Sequence, residues 1–170
     1  MPVTPFHMGP AMVIKTLLHD KFSLIVFGIA QVLIDLQPAF AMATGSGAIH
    51  GWTHTYLGAT VIALVTIAIA RPTVPVIVRY WNTPFTGPSW LADFEEQPGW
   101  QVIAVSAFLG TYSHVLFDSV MHGDMTPFWP LIVHNVLLGY VGAWDLHIGF
   151  FILGILAAVA FFCIRYRTRP

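Results

Sequence analysis

His50 and His54 stand four apart in "HGWTHTYLGA" (50–59), and His114, Asp118 and His122 repeat that spacing twice in "GTYSHVLFDSVMHGD" (110–124). Residues four apart share one face of a helix, so each set can present its side chains together. Imidazole nitrogens and carboxylate oxygens are the ligands that Zn²⁺ and related divalent ions take. Asp35 in "QVLIDLQP" and His7 in "TPFH" add a carboxylate and an imidazole from two other segments. Gln31, one turn before Asp35, is placed to hydrogen-bond to a ligand.

These groups lie in a chain that is poor in charge. Of its 170 residues, 56% are hydrophobic and 9% charged, where a soluble domain carries about a quarter charged. Four stretches, 22–43, 52–71, 100–121 and 146–165, approach the ~20 apolar residues that cross a bilayer. The expectation is one all-α domain, 1–170: a polytopic membrane helix bundle of four spanning helices with a short N-terminal helix in "PAMVIKTLL" (10–18). Residues 127–144, with prolines at their start and Trp129 and Trp144 near their ends, read as an interfacial or re-entrant helix. The stretch 72–99, with Pro72, Pro75, Pro84, Pro88 and Pro98 beside Asp93, Glu95 and Glu96, reads as the long polar connection. Pro2, Pro5, Gly9 and Pro10 break the N-terminal segment, so no cleaved signal peptide is expected. The single Cys163 makes no intrachain disulfide. A net charge of −1 gives no electrostatic basis for a nucleic-acid partner.

Four spans put all seven Lys and Arg residues on one side, Arg165, Arg167 and Arg169 at the C-terminus among them. The positive-inside rule makes that side cytoplasmic, and the expected location is a cell's inner (plasma) membrane. With 1.5 Å of rise per residue, Asp35 stands roughly 20 Å above Lys21, His54 roughly 25 Å above Arg71, and His114 and Asp118 about 21 and 27 Å above Trp100. One outer-leaflet layer therefore holds all four. His7 joins it if the N-terminal piece folds back at "HDK" (19–21), because fourteen residues separate Lys21 from both His7 and Asp35. A lone intramembrane histidine is more often a helix-to-helix hydrogen bond than a ligand; this many groups at one depth favour a metal site. A metal would also neutralise buried Asp35 and Asp118, which otherwise need protonation or a basic partner. His19, His134 and His147 read as interfacial hydrogen-bonding residues, and Lys15 as a side chain that snorkels to the cytoplasm.

"TPFH", "LIDLQP", "HGWTHTYLGA" and "GTYSHVLFDSVMHGDMTPFWP", in that order, resemble the LexA-regulated inner-membrane family of metal-dependent hydrolases, itself likened to zinc-dependent phospholipase C. The resemblance covers most of residues 4–130 and implies a small helical membrane bundle. It implies metal-ligand roles for His7, Asp35, His50, His54, His114 and Asp118. "IDLQP" lacks the family's second aspartate and following histidine, Gly51 replaces an arginine, and "HGD" replaces a small-polar turn. His122 or Asp124 are the residues placed to compensate.

The expected function is a membrane-embedded hydrolase, with one or two divalent metals and zinc the leading candidate, acting on an ester or phosphoester near the outer surface. Asp118 or Asp124 would serve as general base, and Trp52, Phe128 and Trp129 would line the entrance. Its surroundings are the lipid bilayer, with a lipid as the natural substrate at that depth. Two other classes fit the same residues. One is an accessory subunit of a larger membrane complex, with histidines for packing or for haem or pigment ligation. The other is a metal-transport element, which needs a polar file continuing below Gln31.

Overall fold

The computed structural model describes residues 4–82 and 94–168. The described residues form an all-helical bundle. After a 3-10 turn over Thr4–His7, the α-helices are α1 (Met8–Leu18), α2 (Leu24–Ile34), α3 (Leu36–Thr44), α4 (Tyr56–Asn82), α5 (Trp100–Met121) and α6 (Ala143–Thr168). Four helical stretches are long and apolar enough to cross a membrane, with α2 and α3 together making the first and α4, α5 and α6 the others. The third span runs over the expected residues, 100–121. Pro84, Pro88 and Asp93 lie outside the described residues.

The first span is interrupted where its sequence requires it. Pro38 has no N–H for the carbonyl of Ile34 and its ring crowds that carbonyl, so α2 stops at Ile34 and α3 restarts at Leu36. Asp35 occupies the break, with φ −81° and ψ −4°.

Two expectations about connections are corrected. Residues 72–82 are not part of a loop: α4 continues through Pro72 and Pro75 to Asn82. Proline is tolerated inside membrane helices, where neighbouring groups satisfy the carbonyls it frees. Residues 127–144 are not an interfacial or re-entrant helix either; from His122 to Gly142 the chain is irregular, and α6 starts at Ala143. Pro127, Pro130, Gly139 and Gly142 break any helical register, and the segment instead folds against the end of α5. Asn135 Nδ2 donates to the carbonyls of Ser119 (2.7 Å) and His122 (2.8 Å), and Gly139 N donates to Val120 O. These bonds satisfy carbonyls that a helix end leaves without partners.

The bundle closes around α2, α4 and α5. At one end the core is Val26, Ala63, Ala70, Val74, Val78, Ile103 and Ala107. Gly110 allows α2 and α5 to cross closely: a Cβ there would lie 2.8 Å from Ala30 Cβ and 3.1 Å from Phe27 O. The N-terminal hairpin forms as expected, with a 3-10 turn over His19–Lys21. Lys15 Nζ closes it by donating to His19 O (2.7 Å) and Phe22 O (2.9 Å). Helix α6 packs on α1 at Gly9, where a Cβ would collide with the Phe150 carbonyl, and Thr16 Oγ1 donates to Ala157 O. In this way α6 clamps the short α1 and, with it, His7.

Candidate metal centre

Buried His7, His50, His54, His114 and Asp118 converge with Asp35 at the other end of the bundle, beside a second apolar cluster of Ile34, Ala59, Val115 and Met125. They come from four segments: the N-terminal turn for His7, the α2–α3 break for Asp35, the 45–55 connection for His50 and His54, and α5 for His114 and Asp118. The structure thus brings these residues together at one level of the bundle. His50 and His54 do not share a helix face, however. Thr55 caps α4, accepting from Gly58 N at 3.0 Å, and a helix capped there cannot extend back to either histidine. His54 sits on a 3-10 turn over Trp52–His54 and His50 on the bend before it.

Asp118 is the hub. Its Oδ2 lies 3.2 Å from His114 Nε2, 3.6 Å from His54 Nε2 and 3.9 Å from His50 Nε2, while its Oδ1 faces His7 Nε2 at 3.5 Å. Asp35 Oδ1 lies 3.1 Å from His114 Nε2 and 3.5 Å from His54 Nε2. A tetrahedral ion with bonds of about 2.0–2.1 Å separates its ligand atoms by about 3.3–3.4 Å. The four His–Asp contacts among Asp35, His54, His114 and Asp118, at 3.1–3.6 Å, bracket that edge length.

Each of three imidazoles has its other nitrogen engaged on the outside. His114 Nδ1 donates to Gln31 Oε1, and Gln31 Nε2 donates to Gly110 O at 2.9 Å. Thr53 Oγ1 gives its proton to Gln37 Oε1 (2.7 Å) and therefore accepts from His54 Nδ1 at 3.0 Å. His50 Nδ1 lies 2.9 Å from both oxygens of Asp124. An N–H committed outward leaves Nε2 with its lone pair pointing inward, the arrangement that orients metal-bound histidines. Burial, then the neighbouring His114, pulls His7 down to about 4, and burial lowers His54 as well. Both are neutral, as ligands must be.

Among the described residues, the buried side-chain atoms that make no hydrogen bond of good geometry are His7 Nε2, His54 Nε2, His114 Nε2, Asp118 Oδ1 and His122 Nε2. Buried polar atoms rarely stay unpaired. These five belong to one cluster, and its side chains could hold a metal ion. His122 stacks on His50 at 4.5 Å between ring centroids, and with His50 and Asp124 it makes a further grouping at the rim.

The sequence reading placed Gln31 correctly as a partner but missed Gln37 and Thr53. In the structure a Cβ at Gly51 would fall on the Gln37 amide, so the glycine makes room for it. Asp124, expected as a free base, is 57% exposed and bonded to His50. Of the expected entrance residues, Trp52 and Trp129 are exposed, and Phe128 packs on Tyr56. His147 lies apart from the cluster, against Phe6 and Trp144. Comparison with protein families, curated proteins and solved structures found no match.

Proposed function

We propose that the chain is a membrane-embedded, metal-dependent hydrolase with zinc at Asp35, His54, His114 and Asp118, cleaving an ester or phosphoester at the outer face of a cell membrane. The observation that carries this reading is the set of inward-facing Nε2 atoms around Asp118, with those of His50, His54 and His114 held from behind by outward hydrogen bonds. The resemblance of its motifs to the LexA-regulated inner-membrane hydrolases supports the same reaction class. Bound zinc supplies Lewis acidity to the bond attacked and to the attacking water. The protein's own part is to fix the ligands and to handle the proton. His50 faces the cluster through Nε2 and Asp124 through Nδ1, so the pair connects the centre to solvent. Asp124 is thereby the group that accepts a proton there. Burial alone would raise its carboxyl; the hydrogen bond from His50 reverses this and holds it below the usual range, so it is ionised.

Metal transport is disfavoured by what lies below Gln31. The core there is apolar, and the buried hydroxyls of Thr66 and Ser106 are bonded to backbone, at Ile62 O and Ser23 N.

Elemental analysis of the purified chain beside His54→Ala and Asp118→Ala tests the centre. Near-stoichiometric zinc in the parent and its loss in both variants is the expected result; equal metal in all three would sink the site. Hydrolysis of a panel of lipid phosphoesters, absent from both variants, then tests the reaction. A Soret or chlorin absorption band without zinc would replace it with a haem or pigment role.

A further inference from the structure

A groove of about 580 Å³ runs along the outer side of α2, walled by Met8 of α1 and by Ile77 and Trp81 of α4. Its volume lies within the roughly 300–1,000 Å³ of typical ligand sites. Leu24 and Leu33 mark its extent along the helix, nine residues or about 13.5 Å. Its lining is almost wholly apolar, and it lies in a stretch long and apolar enough to span a membrane.

Two features tie the groove to the metal centre. Gly28 forms part of its wall, and a Cβ there would meet nothing within 4 Å; the missing side chain leaves a hollow. Asp35 lies two turns above Gly28, seven residues on, and therefore on the same side of the helix. At the same end, Met8 follows His7 directly. The hollow thus leads along one helix side to two residues of the cluster.

An apolar trough inside the bilayer that ends at a polar, ligand-rich centre matches the two-part chemistry of an amphipathic lipid. We infer that the groove seats an aliphatic chain of the substrate and so presents the lipid's headgroup bond to the Asp35 side of the centre. This rests on the hydrolase reading and narrows its substrate to chain-bearing lipids. The chain contributes affinity through apolar contact, and the groove fixes how deep the headgroup stands.

The test uses the full chain in nanodiscs containing a phospholipid with a diazirine midway along one acyl chain, with labelled residues mapped by mass spectrometry. Outward residues of α6 such as Phe151, Leu156 and Val159 are exposed and report ordinary bilayer contact. Labelling of residues 24–33 is expected severalfold above that of α6, competed by unlabelled long-chain phospholipid and not by glycerophosphocholine. In Gly28→Phe, whose ring fills the hollow, it falls to the α6 level while metal content stays at the parent value. Metal content read on the same samples separates the two proposals. A chain without metal that still shows the excess labelling defeats the hydrolase reading alone. A metal-loaded chain labelled evenly on α2 and α6, or unchanged by Gly28→Phe, overturns the groove assignment, as do crosslinks joining residues 24–33 of two copies.

Discussion

Gln37 touches none of the grouped metal-ligand side chains, yet it determines which nitrogen of His54 faces the centre. Its Oε1 accepts from both Thr53 N (3.1 Å) and Thr53 Oγ1, which turns the hydroxyl's lone pairs toward His54 Nδ1. Replacing it with leucine frees the Thr53 proton to be donated to His54, and the imidazole can then present the wrong tautomer or turn away. Outer partners of metal-bound histidines are worth about 10–100-fold in metal affinity. Gln37→Leu is expected to lose metal affinity within that range, measured by competition with a chelating dye, whereas Gln37→Glu keeps the acceptor and stays closer to the parent. Parent affinity in Gln37→Leu would show that Thr53 holds His54 unaided. Nothing in the spacing of "HGWTHT" reveals this relay, because Gln37 lies sixteen residues before Thr53 and meets it only across the α3 connection. Gln31 was legible because it sits one turn from Asp35 on the same helix, where rise and rotation are fixed.

Elements set the ligands by where they stop as much as by where they run. Thr55 ends α4 early enough to free His54 for its 3-10 turn, and Pro38 breaks the first span at Asp35. A Pro38→Ala chain regains the N–H that Ile34 O needs, so α2 and α3 can fuse and rotate Asp35. The expected outcome is thermal stability equal to or above that of the parent with weaker metal binding, a pairing that simple damage to the fold does not give. Gly110 acts in the opposite sense: Gly110→Leu forces α2 and α5 apart, at a cost of about 1–3 kcal/mol for overpacking, and removes Gln31 from His114. Both melting temperature and metal content should fall. The boundaries that escaped the sequence share a cause. Proline and glycine mark loops in water, yet Pro72 and Pro75 lie inside α4, while the apolar residues of 127–144 look helical but fold as a strap over α5.

At the scale of the described residues, alternating helices put the centre at one end and Arg71, Arg79, Arg165 and Arg167 at the other. Arg79 pairs with Glu96 at 3.2 Å, Arg71 covers the Trp100 ring at the start of α5 at 4.5 Å, and Arg165 and Arg167 lie in the last turn of α6. That separation was readable from sequence because four apolar stretches of near-membrane length fix the parity of every connection. Lateral neighbours were not readable, because hydropathy is blind to rotation. The positive-inside rule then predicts an outward-facing centre, which suits a lipid substrate in the outer leaflet. Cys163 is exposed, so the test starts from Cys163→Ser and places single cysteines at Ser46, beside the centre's connection, and at Arg167. A membrane-impermeant thiol reagent applied to intact cells should label Ser46→Cys at once and Arg167→Cys only after permeabilisation. The reverse pattern would turn the molecule over, move the centre to the cytoplasmic leaflet, and require its lipid to be one drawn from that side.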